Sequence, residues 1–198
     1  MQRFHHQIRQ DLAVLLGALN TVTEKYSRKD FDTDSALRSL LDKVNADYKD
    51  KGLPDRESQL QLLRAEWSAA EKGIDPCSGE KVTVRRGEMK ASAMLKILRG
   101  LETVLREDYT TSRAKLEEAA AMIGQIIVAG YQEGILNDKL LQAVNTETEY
   151  LQLWKLLGAD PNIALGQKRL LTMVSMPDIF LLLEEVVPPM VKGVAVLR

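Results

Sequence analysis

The chain is poor in the residues that carry most protein chemistry. Its 198 residues include one cysteine and two histidines, and the histidines are adjacent, at positions 5 and 6. A single cysteine excludes an internal disulfide, and the sequence contains neither a glycine-rich phosphate loop nor a spaced set of metal ligands. We therefore predict no catalytic, cofactor-binding or metal site, and this inventory favours a non-enzymatic protein over an enzyme.

Charge and hydropathy exclude further classes. Lys and Arg total 27 against 28 Asp and Glu, which leaves a net charge of -1. This balance provides no overall field for nucleic acid or an anionic membrane surface, so we do not expect nucleic acid as a partner. The longest stretch with few charges, residues 119–131, is shorter than the roughly 20 apolar residues that a transmembrane helix needs. We expect no transmembrane segment, no secretory signal and a cytoplasmic protein.

Helical periodicity, by contrast, is abundant. Between residues 8 and 26, apolar side chains recur at alternating spacings of four and three, which is typical of a helix packed lengthwise against other helices. Similar spacings recur along the chain. They predict an all-α fold, a single-domain bundle of about six to eight helices over residues 1–198. The predicted helices are approximately 3–26, 34–51, 54–74, 88–108, 111–132, 137–157, 162–174 and 179–187.

Capping residues and prolines predict where some of these helices begin and end. Thr33 or Asp34 is expected to cap the second helix, and we assign the acidic residues around it to capping. The segment lacks the glycine and the glutamate that a calcium loop requires. Pro188 and Pro189 are expected to end the last helix, because a proline inside a helix removes a backbone hydrogen bond.

The two histidines, His5 and His6, are expected to lie in a solvated N-terminal turn. Neighbouring residues on a helix point about 100° apart, whereas two ligands of one metal ion need a spacing such as i, i+4.

The fifth predicted helix has little side-chain bulk at two positions, Gly124 and Gly130. We expect neighbouring helices to approach it closely there.

Residues 73–87 form one long interruption of the helical pattern. The segment holds three glycines, a proline and Cys77, which we assign to an ordinary turn. It also holds Lys81, Arg85 and Arg86, just before a predicted helix start, where basic side chains and free amides together could contact an anion or a partner. We expect no more than a short strand pair near residues 82–85.

Near the C-terminus, residues 179–183 form a run that is apolar on every side, and further apolar residues follow Pro188 and Pro189. A helix on the protein surface would show one apolar face, so this segment must be covered either by its own bundle or by a second chain. We expect the second arrangement, in which residues 177–198 contribute to a homodimer or partner interface. The candidate interface residues are Ile179, Phe180, Leu183, Met190, Val194 and Leu197.

These features favour a non-enzymatic protein–protein interaction module, such as an adaptor, a chaperone-like protein or a scaffold subunit, that acts through its helical faces. Two alternatives stay open. One is a metal-dependent all-α hydrolase that uses carboxylates from different helices. The other is a nucleic-acid accessory protein that uses the basic loop at 81–86. Three or more acids converging on one pocket would favour the enzyme.

Overall fold

The computed structural model describes residues 4–75, 78–82 and 85–196, with side chains up to residue 189. Within this part the secondary structure is helical, which confirms the all-α prediction. The eight described helices are α1 (His5–Arg28), α2 (Thr33–Asp50), α3 (Pro54–Lys72), α4 (Arg86–Gln132), α5 (Asp138–Ala143), α6 (Glu147–Leu157), α7 (Pro161–Met173) and α8 (Met176–Val196). None of these helices is both long and apolar enough to cross a membrane.

The loop between α3 and α4 contains less regular structure than predicted. An isolated antiparallel bridge joins Ile74 to Lys81, and a strand pair is not seen among the described residues of the loop. Residues 83–84, where part of that strand pair was predicted, lie outside the described residues, as does Cys77.

The ends of α3 follow local chemistry, whereas the predicted start of α2 is corrected. Pro54 opens α3, and Gly73 closes it in the left-handed conformation with a φ of 74°, as expected for an N-terminal proline and a C-terminal glycine. The predicted cap of α2 is wrong, because Thr33 is already the first helical residue. Asp32 occupies the cap position, yet its carboxylate pairs with Lys25 and makes no capping hydrogen bond.

The helix α4 continues without interruption for 47 residues, where the sequence predicted two helices with a break near residue 110. Residues 101–123, which surround the predicted break, contain neither glycine nor proline. Cap-type residues such as Thr and Ser inside a helix cost only about 0.5 kcal/mol each. Leu105 and Leu116 are buried on either side of the predicted break, and Ser112 is itself buried, so packing outweighs the weak local preference.

The predicted helix 137–157 is instead two helices, α5 and α6. Thr146 forms a capping box at the start of α6: its hydroxyl accepts from the Glu149 amide, and the Glu149 carboxylate accepts from the backbone amides of Asn145 and Thr146. These hydrogen bonds satisfy backbone amides at the N-terminal end of α6 that have no partner within the helix. They therefore favour a new helix start at this point. The hydrogen bond from the Asn145 amide is also the main cause of a lowered pKa at Glu149.

The prediction that Pro188 and Pro189 end the last helix is wrong, because α8 includes both prolines and continues to Val196. Each proline leaves one carbonyl without its usual helical partner, four residues earlier, at Glu184 and Glu185. All four residues are exposed, so water can bond these carbonyls.

The chain divides into two compact units, Gln10–Tyr109 and Met1–Arg9 with Thr110–Arg198. Each unit has its own buried side chains. In the first, the predicted seam of α1 is confirmed, since Leu12, Leu15, Leu19 and Val22 are buried. In the second, α4 to α8 share one core that includes Ile123, Trp154, Leu157, Leu170 and Ile179. A single folding domain over the whole chain stays a prediction.

Gly130 confirms one of the two predicted close approaches to α4. A Cβ atom at this position would lie 2.3 Å from Cδ2 of Leu157 and 3.2 Å from Cγ of Leu136, whereas a Cβ atom at Gly124 would meet nothing within 4 Å. Leu157 is fully buried, so its side chain has little room to move. The absence of a side chain is therefore required at Gly130 and not at Gly124.

This difference predicts opposite effects for two matched substitutions. Gly130→Ala should lower the free energy of unfolding by about 2 kcal/mol, because overpacking a core typically costs 1–3 kcal/mol. Gly124→Ala should raise it by about 1 kcal/mol, which is the gain in helix propensity. Urea denaturation followed by circular dichroism measures both. Equal stabilisation by the two substitutions would contradict the packing of Leu157 against α4.

Candidate functional site

The three basic residues predicted as an anion or partner contact do not share one role. Lys81, Arg85 and Arg86 are all exposed. Arg86 also donates from Nη2 to the carbonyl oxygen of Glu71 at 2.5 Å, and its Nε would lie 3.0 Å from a Cβ at Gly73. Arg86 thus satisfies a carbonyl at the C-terminal end of α3, where free carbonyls need donors. The contact stays a prediction at all three residues.

The predicted C-terminal interface also divides into parts. Ile179 and Leu183 are fully buried in the core that α8 shares with α4–α7, so the prediction is corrected at these two residues: their own chain covers them. Phe180 is partly buried against the same core. The remaining candidates lie outside the described part of the chain, namely the side chains of Met190 and Val194 and the whole of Leu197.

A cleft of about 220 Å³ opens beside the turn between α1 and α2, next to the first turns of α4. Met94, which is buried, contributes apolar surface to it, and the Tyr26 hydroxyl donates to the carbonyl oxygen of Ala91 at 3.2 Å along its side. The residues that line the cleft are Tyr26, Lys29, Asp30, Thr33, Asp34, Gly87, Lys90, Ala91 and Met94.

The charges around this cleft are of both signs. Lys90 pairs with Asp34, and its ammonium lies 5.5 Å from the ring centroid of the buried Trp67, a cation–π distance. Lys29 and Asp30 provide a second cation and a second anion. Lys90 is held in place from two sides, so the cleft has a defined polar edge around an apolar interior.

Phe31 is fully exposed at the tip of the same turn. Lys29, two residues before Phe31, has a φ of 58°. This left-handed backbone conformation reverses the direction of the chain between α1 and α2. Burying a phenylalanine would remove some 150–250 Å² from water, so a completely exposed ring is unfavourable unless a partner covers it. Residues 27–33 lie between the first two predicted helices, and the sequence pattern did not single out Phe31. The available signal was one aromatic residue among six polar ones.

His5 and His6 are not in a solvated turn, and that prediction is wrong: both are buried at the start of α1 and bond to Asp178. The backbone amide of His5 donates to Oδ2 of Asp178 at 3.0 Å, and that of His6 to Oδ1 at 2.9 Å. Nδ1 of His6 also donates to Oδ1 at 2.8 Å. A carboxylate can only accept, so Nδ1 of His6 carries the hydrogen.

Asp178 also caps its own helix, α8. Its Oδ2 accepts from the amide of Ser175 at 3.1 Å and from the hydroxyl of Ser175 at 2.7 Å. One fully buried carboxylate therefore accepts five hydrogen bonds at the N-terminal ends of two helices, where the helix dipoles favour negative charge. Burial by itself would raise the pKa of Asp178, but the hydrogen bonds from His6, Ser175 and His5 outweigh burial and lower it.

The second ring nitrogen of His6, Nε2, has no hydrogen-bond partner among the described residues, and Oε1 of Glu185 lies 4.0 Å from it. An aspartate–histidine pair could in principle act as a general base, which requires a substrate within reach of that nitrogen. Within the described part of the chain, there is no group of three or more His, Cys, Asp or Glu residues that could hold a metal ion. The hydrogen bonds of Asp178 at the starts of α1 and α8 account for the cluster as a structural cap.

Comparison with known proteins found no matching family model, no similar curated protein and no similar solved structure.

Proposed function

We propose that this protein is a non-enzymatic protein–protein interaction module of the cytoplasm, an adaptor or scaffold subunit that acts through its helical faces. The observation that supports the proposal is the α1–α2 turn, where the fully exposed Phe31 stands beside a cleft with an apolar interior and a charged edge. Interfaces concentrate their binding energy in a few buried aromatic residues surrounded by a polar rim. The α1–α2 turn has both an aromatic residue and a polar rim.

The energetic argument for Phe31 is specific to its position. Single exposed apolar residues are normal on protein surfaces, and Val14 and Leu62 are examples here. Phe31 differs because it is aromatic, is completely exposed and adjoins a concave surface. Fully burying an exposed phenylalanine side chain gives roughly 1.5–3 kcal/mol. We expect Phe31 to be the main anchor of the interface.

The C-terminal half of α8 is a second proposed surface for a protein partner or self-association. Ile179 and Leu183 are covered by their own chain, so this surface would consist of the part of α8 that follows Val187. Because the turn and the end of α8 are far apart in sequence, the two surfaces can be tested separately.

Co-purification from the native host tests the proposal. We expect Phe31→Ser to lose a partner that the unchanged chain retains, while Val14→Ser, which alters another exposed apolar residue, retains it. Removal of residues 189–198 tests the end of α8 in the same experiment. Quantitative mass spectrometry of the captured proteins is the measurement, and circular dichroism checks that each variant is folded. A partner list that none of the variants changes would contradict the proposal.

A further inference from the structure

We infer that the partner of the α1–α2 turn is a second copy of this chain, with Phe31 of each copy seated in the cleft of the other. The inference rests on the proposed function and names its partner. A two-fold symmetric interface uses one patch on both copies, so that patch must carry both complementary parts. The turn meets this condition, because an exposed aromatic side chain and a cleft lie side by side on it.

The cleft fits a side chain better than a free ligand. Its volume of about 220 Å³ can hold one phenyl ring. Pockets for drug-sized molecules begin at about 300 Å³. Asp30 and Thr33 line the cleft on either side of Phe31 in sequence, whereas Phe31 itself is fully exposed and does not line it. The ring therefore leaves its own cleft open to the ring of another copy.

The charges at the cleft favour a copy over an oppositely charged partner. The two cations, Lys29 and Lys90, are matched by the two anions, Asp30 and Asp34. A rim of one sign would repel its own copy and select a partner of the other sign. A balanced rim neither repels a second copy nor selects an oppositely charged partner. The net charge of -1 adds no appreciable repulsion between whole chains. The patch thus carries both a ring and a cleft, and its charges do not oppose a second copy.

Complementation between two variants tests this arrangement. Phe31→Ala removes the inserted ring, and Ala91→Trp fills the cleft while keeping the carbonyl that accepts from Tyr26. In sedimentation equilibrium we expect the unchanged chain to shift with concentration from 22.2 kDa toward twice that mass. Each variant alone should dimerise at least tenfold more weakly. An equimolar mixture should recover part of the loss, since one ring and one open cleft remain.

Two controls keep the test decisive. Val14→Ala should dimerise as the unchanged chain does, because Val14 is exposed but lies outside the cleft. Gly87→Leu is a second cleft-filling variant, in which the added Cβ meets nothing within 4 Å. It should behave as Ala91→Trp does and should also be complemented by Phe31→Ala.

Other outcomes would overturn the inference. A strictly monomeric chain, a dimer unaffected by the variants, or a mixture without recovery would each show that the second copy is not the partner. If the chain is monomeric while Phe31→Ser still loses a different protein in co-purification, the proposed function stands and only this inference fails. If neither that substitution nor removal of residues 189–198 changes the captured proteins, both fail.

Discussion

Replacing Asp178 with alanine should lower the free energy of unfolding by about 4 kcal/mol or more. The substitution removes the acceptor of five hydrogen bonds and leaves buried amides of His5, His6 and Ser175 without a partner. An unsatisfied buried donor typically costs 1–3 kcal/mol, and losses above about 4 kcal/mol arise where such a network breaks. Since whole proteins are stable by only about 5–15 kcal/mol, urea denaturation should detect a large shift of the midpoint.

Asp160 provides the matched control. It also precedes a helix, α7, and its carboxylate accepts from the amides of Asn162 and Ile163 at 2.8 and 3.0 Å. Asp160→Ala removes an ordinary N-cap, which costs about 1 kcal/mol. The loss at Asp178 should be several times larger because that carboxylate caps two helices and is fully buried. Losses of similar size at both positions would contradict the double cap.

The lowered pKa of Asp178 adds a pH dependence whose sign follows from linkage. The unfolded chain binds a proton at this carboxyl near its ordinary value of 3.8, and the folded chain binds it only at lower pH. The stabilisation by Asp178 is therefore complete above that value and is lost as pH falls through the folded pKa. We expect unfolding free energies measured between about pH 2 and pH 5 to fall more steeply with acid in the unchanged chain than in Asp178→Asn.

The Asp178 cluster also shows where sequence reasoning loses its basis. Asp178 lies 172 positions from His6, and no local pattern indicates that α1 and α8 start at one point. The sequence does contain a local signal at one end, because Ser175 and Asp178 have the spacing of a capping box. Their use by a second helix is a tertiary effect, so the histidines were assigned to solvent by default.

The fold was more predictable than the candidate site, because periodicity acts locally. The seam of α1 and the start of α3 at residue 54 were predicted from neighbouring residues alone. The break near residue 110 was predicted wrongly because packing outweighs a weak local preference there, and the end at Pro188 because the carbonyls that the prolines leave unpaired lie on exposed residues. Phe31 was missed because exposure depends on what the rest of the chain leaves uncovered.

Leu19→Asp should destabilise the protein by about 5 kcal/mol, because Leu19 is 2% exposed on the buried seam of α1. Truncating a buried leucine costs about 2–5 kcal/mol, and a carboxylate in the vacated apolar site adds a desolvation penalty. Val14→Asp is the matched control on the same helix, since Val14 is 72% exposed and the added charge stays in water. Thermal melting followed by circular dichroism should show a loss of many degrees for Leu19→Asp and a change of about 2 °C or less for Val14→Asp. Melting curves that coincide for the two variants would mean that α1 is not part of the core, and the seam at its alternating spacings of four and three would then need a second chain to bury it.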